Sequence, residues 1–386
     1  MATKQLSSFT LGLALFAMFF GSGNLIFPLF LGQLAQDQWL TAGLGFGITA
    51  VIVPLAGVFA MVIFKGDYSA FFGCLGKKGG LLTIFMLLAV WIPLGSGARC
   101  AMLAYSSILP YTENPIPLWM FSAIYCSLIA FVVYKKSRML DILGHFLTPV
   151  LLFCLGLIVA WGINFESIIP RWTEEAGTLF VRGLTEGYHT MDLIASFFFS
   201  ASIIEILRRA SHNESLSLKK TLKASLIGAG LLAVVYAGLI CLAAGNTDIL
   251  QGVPKEQQLV TLAKTVLGSQ LGIIASLAIF LACFTTSIAL ANVFTDFLAE
   301  KIFRNESTSG LSLVITQIVT FGMSITGLEG ISFVTGPLLE VFYPLLIVLI
   351  VFNVGRKYLT SAPKKEIKQV SEEAACCNLS ELELQS

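Results

Sequence analysis

Four short stretches of this chain carry residue types suited to holding a small charged molecule. The first, Phe19-Phe20-Gly21-Ser22-Gly23-Asn24-Leu25-Ile26-Phe27-Pro28, sets two glycines, a serine and an asparagine in an apolar surround and closes on a proline. Glycine disfavours a helix interior by about 1 kcal/mol relative to alanine and proline by about 3, so this run predicts a local unwinding. Half-helix N-termini exposed there suit a carboxylate, and freed carbonyls suit a cation. The second, Gly187-Tyr188-His189-Thr190-Met191-Asp192, places an acid and a histidine among apolar neighbours. His189 either titrates near neutral pH or serves as a hydrogen-bonded structural group. The third, Ala282-Cys283-Phe284-Thr285-Thr286-Ser287, offers three consecutive hydroxyls. These either return hydrogen bonds to carbonyls one turn back or supply hard oxygen ligands. The fourth, Pro93-Leu94-Gly95-Ser96-Gly97-Ala98-Arg99, ends in a base with three roles open to it: binding a carboxylate, pairing with a buried acid, or snorkelling to a membrane surface.

The elements that position these stretches follow from composition. Of 386 residues, 56% are hydrophobic and only 12% charged, against about 25% charged in a soluble domain. With a mean hydropathy of +0.84, a disordered chain and a soluble enzyme with one core are both excluded. Lys and Arg number 24 and Asp and Glu 23, so no global field points to nucleic acid. The cysteines lie mostly in apolar runs and show neither a disulfide framework nor zinc spacing. The first nine residues lack a cleavable signal, so the run from Phe9 reads as a permanent span.

A helical crossing needs about 20 apolar residues. Segments near 8–33, 41–64, 81–109, 118–134, 140–163, 186–207, 222–245, 270–300, 311–327 and 331–353 qualify. The expected architecture is therefore an all-α polytopic membrane protein of about ten transmembrane helices. Residues 8–163 form a first five-helix repeat, 164–185 an external loop, 186–353 a second inverted repeat and 354–386 a cytoplasmic tail, read as mostly unstructured. Trp172 suits the interface, and Leu259, Leu262, Ala263, Val266 and Leu267 are spaced for a short external helix. With the N-terminus inside, nineteen of the 24 basic residues fall on the cytoplasmic side and four outside, leaving Arg99 within a span. Both termini are expected to be cytoplasmic.

Segments 1 and 6 are interrupted and lie five apart, and segments 3 and 8 form a second irregular pair at the same spacing. Five is odd, so they enter from opposite faces, the layout of secondary transporters whose paired broken helices form a midplane site. Bare backbone cannot face lipid, which places both breaks against protein or water. Asp192 within a span costs about 2.5 to 3.5 kcal/mol at a helix centre, which marks it for function. His145, Asp141, Glu205, Asp296 and Glu340 fall near predicted helix ends and carry less weight.

The run Leu13-Ala14-Leu15-Phe16-Ala17-Met18-Phe19-Phe20-Gly21-Ser22-Gly23-Asn24-Leu25-Ile26-Phe27-Pro28 resembles the signature of bacterial branched-chain amino acid carriers, the branched-chain amino acid:cation symporter family. Further similarity lies in Glu186-Gly187-Tyr188, Thr190-Met191-Asp192, Ala282-Cys283, Thr285-Thr286, Gly336-Pro337 and Tyr343-Pro344. The resemblance implies the leucine transporter fold in a bacterial inner membrane and sodium-coupled import of leucine, isoleucine and valine. It implies substrate contacts from Gly21, Ser22, Gly23 and Asn24, with Tyr188, Thr190 and Asp192 opposite. It also implies a sodium site from the carbonyls of Ala17, Phe20 and Ala282 and the hydroxyls of Thr285 and Thr286. Sodium is then a coupling ion and not a prosthetic group.

Three departures from the family pattern stand out. Ten segments replace about twelve, Leu29 stands where a proline often follows Pro28, and Gly95-Ser96-Gly97 replaces bulkier residues. The smaller Gly97 opens the pocket to methionine or another apolar amino acid. A proton-coupled transporter of such a substrate is the alternative, and a passive channel a weaker one, since no charged ring or carbonyl filter repeats. An enzyme is not expected, because zinc-protease, nucleophile-elbow and Walker motifs are all missing.

Overall fold

The computed structural model describes residues 7–135, 139–163, 174–210 and 214–383, with no strand among the described residues. The side chains of Asp141 and His145, and all of Trp172, lie outside the described residues.

Helix α1 (Ser8–Phe19) is capped by Ser7, whose Oγ accepts the Thr10 N–H at 3.2 Å. It stops where Phe20 turns extended (φ −76°, ψ 91°) and Gly21 follows (φ −110°, ψ −169°). Helix α2 (Ser22–Ala35) then begins and carries Pro28 in its interior. After α3 (Trp39–Gly47), a π-helical turn at Ile48–Ile52 leads into α4 (Val53–Ile63). A short α5 (Tyr68–Phe72) precedes α6 (Gly76–Trp91). A second π-helical turn, Ile92–Ser96, joins α6 to α7 (Gly97–Ile108). Pro93 lacks an N–H and Gly95 has no side chain to pack, so the wide turn forms where the local sequence weakens the α ladder.

Next come α8 (Leu118–Tyr134), α9 (Met139–Gly162), α10 (Ala176–Tyr188) and α11 (Asp192–Ala210). The remaining helices are α12 (Glu214–Gly245), α13 (Thr247–Leu250), α14 (Gln258–Phe297), α15 (Ser309–Ser324) and α16 (Gly327–Glu383). Between α10 and α11 the chain leaves helical geometry at His189-Thr190-Met191, with Met191 left-handed at φ 63°. Gly268 (φ 77°) kinks α14, so the stretch from Gln258 is a helix of its own, with Leu259, Leu262 and Ala263 buried.

Among the described residues, five helical stretches are long and apolar enough to cross a bilayer: Ser22–Ile63, Tyr68–Tyr111, Leu218–Gly245, Lys255–Phe303 and Gly327–Lys357. Within the folded body, α12 lies against α1 and α2, α3 against α10, α4 against α11, and α7 against α14. Glycines set the closest of these approaches. A side chain at Gly183 of α10 would strike the Ala42 carbonyl of α3, and one at Gly45 of α3 would strike the Phe180 carbonyl.

Two expectations are corrected. Helix begins at Ala176 and not near 186, so residues 176–185 of the expected external loop are helical, and α10 ends at Tyr188, shortly before α11 begins at Asp192. Arg182, Thr185 and Glu186 hide this half-helix from a hydropathy reading, although its other face buries Leu179, Gly183 and Gly187. Arg182 is held by Glu174 at 3.4 Å. The region after Arg356, read as unstructured, is helical to Glu383, in keeping with the good helix formers Lys, Glu and Ala between 364 and 375. Contacts divide the chain into residues 1–343 and 344–386.

Candidate functional site

The first turn of α2 carries Asn24, which is 1% exposed. Its Nδ2 donates to the Phe19 carbonyl at 3.3 Å, spanning the first break. The same amide donates to both carboxylate oxygens of Asp192, at 3.1 and 3.0 Å, and to the hydroxyl of Tyr236 on α12. Tyr236 in turn donates to Asp192 Oδ2 at 2.7 Å. Asn24, Asp192 and Tyr236 thus tie together α2, α11 and α12 in a buried polar cluster.

Asp192 is the first residue of α11, where free amides and the helix dipole favour a negative charge. Its N–H donates to Thr190 Oγ1 at 3.4 Å, and Thr190 donates to the Gly187 carbonyl at 2.9 Å. The Leu193 N–H donates to the Tyr343 hydroxyl at 3.3 Å, and the Tyr343 ring packs tilted at 37° against Tyr188, with centroids 4.6 Å apart. His189 lies 5.1 Å from the Phe27 ring, and its Nδ1 has no partner among the described residues.

Arg99 settles one of its open roles. Fully buried, it cannot snorkel. Its Nη1 donates to the His189 carbonyl and its Nη2 contacts Met191 Sδ at 3.3 Å, with no carboxylate in ion-pair reach among the described residues. Gly23 lies directly against this group: a side chain there would come within 3.2 Å of the His189 carbonyl oxygen and 3.3 Å of Arg99 Nη1. Ser22 Oγ donates to the Ser96 carbonyl at 3.4 Å, joining the first break to the π-helical turn.

On the other side of the first break, a cavity of about 30 Å³ is lined by Phe16, Ala17, Phe20, Leu151, Ala282, Thr285 and Thr286. Thr285 donates to the Leu281 and Ala282 carbonyls, both at 3.1 Å. That back-bonding uses the hydroxyl proton and leaves oxygen lone pairs free for a cation. The residues expected from the sequence therefore gather into two neighbouring groups: Gly23, Asn24, Thr190 and Asp192 where the breaks meet, and Ala17, Phe20, Ala282, Thr285 and Thr286 around the cavity. Gly21 stands between them, 3.9 Å from the Thr286 methyl when given a side chain. Tyr188 is placed through Tyr343. Tyr236 escaped the sequence reading; its signal was a single phenol midway through an apolar span.

The sequence model of the family described as branched-chain amino acid transport protein matches residues 4–382. This chain belongs to that family. Among its relatives, the branched-chain amino acid permease BrnQ of Bacillus subtilis is 32% identical over 361 residues, covering 88% of this chain and 79% of the relative. The branched-chain amino acid transport system 2 carrier protein of Pseudomonas aeruginosa is 28% identical and covers 94% of this chain and 83% of its own. As a member of this transporter family, the protein is not an enzyme.

Solved structures place the fold among leucine-transporter-type carriers. The inward-facing conformation of Mhp1 matches with a TM-score of 0.61 at 16% identity, over 90% of this chain and 76% of that one. MhsT in complex with L-phenylalanine matches with a TM-score of 0.56 at 14% identity, over 89% and 88%. A Na+-coupled sialic acid symporter in a substrate-bound outward-open state matches with a TM-score of 0.54 at 12% identity, over 90% and 79%.

Proposed function

We propose that this member of the branched-chain amino acid transport family is a sodium-coupled symporter. It imports leucine, isoleucine and valine, with methionine as a further substrate, by alternating access across the bacterial inner membrane. The observation that carries the reading is the contact of Asn24 with Asp192, which joins two interrupted helices through a cluster sealed from lipid. Ten crossings arranged as five plus five inverted, with both termini cytoplasmic, supply the two halves that rock about this point. The substrate lies between the first turn of α2, with Gly21, Ser22, Gly23 and Asn24, and the stretch carrying Tyr188, Thr190 and Asp192.

Sodium occupies the small cavity. Carbonyls in the last turn of α1 lack intrahelical donors, which frees Ala17, and the extended Phe20 frees its own. With Ala282, Thr285 and Thr286 these make five oxygens around a space the size of one water, which suits a small hard cation. The names of the relatives support the substrate class, and the sodium-coupled neighbour of the same fold supports the ion.

Asp192 favours a second reading, proton coupling, because it is a buried carboxylate whose hydrogen-bonding partners are all neutral. One experiment decides. In proteoliposomes, radiolabelled leucine accumulates against its gradient when sodium is higher outside. Accumulation driven by a proton gradient without sodium would select the second reading, and equilibration alone would defeat both.

A further inference from the structure

Arg99 is the largest side chain that the fold buries completely, and in this membrane-spanning bundle it brings a full charge without a partner of opposite sign among the described residues. A buried charge is retained only where something compensates it. Of the five guanidinium N–H donors, one goes to the His189 carbonyl and one to Met191 Sδ, a weak acceptor, and the buried Nε has no partner among the described residues. The ring of Phe27, 5.2 Å away, supplies a further weak contact.

The position of this under-used fork is specific. Nη1 lies against Gly23 at the start of α2 and against the His189 carbonyl in the second break, so it sits where both interruptions meet. Gly95 of the π-helical turn makes room on the same side, since a side chain there would come within 2.6 Å of Met191 Cε. Asp192, the only other fully buried formal charge among the described residues, is three residues beyond His189 and is held by Asn24 and Tyr236.

We infer that Arg99 is the receptor for the substrate's carboxylate, with Asp192 facing its ammonium group, so that the site selects a zwitterion by its two charged ends. This rests on the proposed function and adds a binding residue to it. A carboxylate matches the planar fork in a bidentate fashion and displaces the weak Met191 sulfur contact.

The test compares L-leucine with L-leucinol, in which CH2OH replaces the carboxylate, and with 4-methylpentanoate, which lacks the ammonium group. Affinities are read from ligand-induced thermal shifts of the purified full-length protein. Wild type prefers leucine to leucinol by about 10- to 100-fold, the value of a charge-assisted pair. Arg99→Gln weakens leucine by that factor while leaving leucinol unchanged, and leucine stays favoured over 4-methylpentanoate. Arg99→Lys, which keeps a cation but loses the fork, falls between and serves if the glutamine variant does not fold. Leucine and leucinol weakening together, or neither weakening, would overturn the assignment. A wild-type protein that binds no apolar amino acid would instead remove the proposed function, and this inference with it.

Discussion

Between α1 and α2 the chain leaves the helix at Phe20-Gly21, and between α10 and α11 it does so at His189-Thr190-Met191, where no glycine stands. At the first break both residues adopt extended geometry, which costs an ordinary residue little. Glycine acts there by being small: Gly23 lets α2 rest on the His189 carbonyl. At the second break Met191 is forced to φ 63°, a cost of about 1–2 kcal/mol for a residue with a side chain. Hydrogen bonds from Arg99, from the Leu193 N–H to Tyr343 and within the Thr190 turn offset that strain. One interruption is thus written into local chemistry and the other is held by neighbours.

The largest effect on this contrast is expected from Gly23→Leu. A Cβ at that position already lies 3.2 Å from the His189 carbonyl oxygen, so a leucine would force the two breaks apart. Leucine binding by the purified variant should be lost, and wild-type affinity would show that the pocket lies elsewhere. Asp192→Ala should come next, since it leaves the Tyr236 hydroxyl proton without its acceptor and the Asn24 amide with only the Phe19 carbonyl and the Tyr236 oxygen, lowering stability by about 1–3 kcal/mol for the group left unsatisfied. Its melting temperature and leucine uptake should fall together.

Thr285→Ala combined with Thr286→Ala leaves both breaks intact and removes two short oxygens from the cavity. The sodium concentration for half-maximal uptake should rise roughly tenfold, about the 1.4 kcal/mol of a lost polar contact, while membrane insertion is unchanged. Identical sodium activation would discard the cavity as the ion site. The smallest change is expected from Tyr236→Phe, which deletes one donor to Asp192 and keeps the ring, costing about 0.5–1.5 kcal/mol. A several-fold weaker leucine affinity with normal sodium dependence would place Tyr236 with the substrate and apart from the ion.

Much of the candidate site was legible in the sequence. The Gly21-to-Asn24 run and the Thr285-Thr286 pair announce themselves because glycine, proline and hydroxyl residues alter backbone preference within a few positions. The start of α10 did not, because the charges of Arg182 and Glu186 lower the hydropathy of a helix whose other face packs against α3. The partner of Arg99 was equally hidden. Three roles suited its chemistry, and the choice depended on the His189 carbonyl, 90 residues away in the chain.

Composition and spacing alone settled the solvent, the all-helical architecture and the points where helices weaken, since these follow from hydropathy and short-range backbone energetics. The meeting of Asn24 with Asp192 across 168 residues, and of Asn24 with Tyr236 across 212, came from the packing of α12 against α2 and of α10 and α11 against their neighbours. Such contacts arise when close-packed helices fix one arrangement among many, and no run of neighbouring residues contains that information.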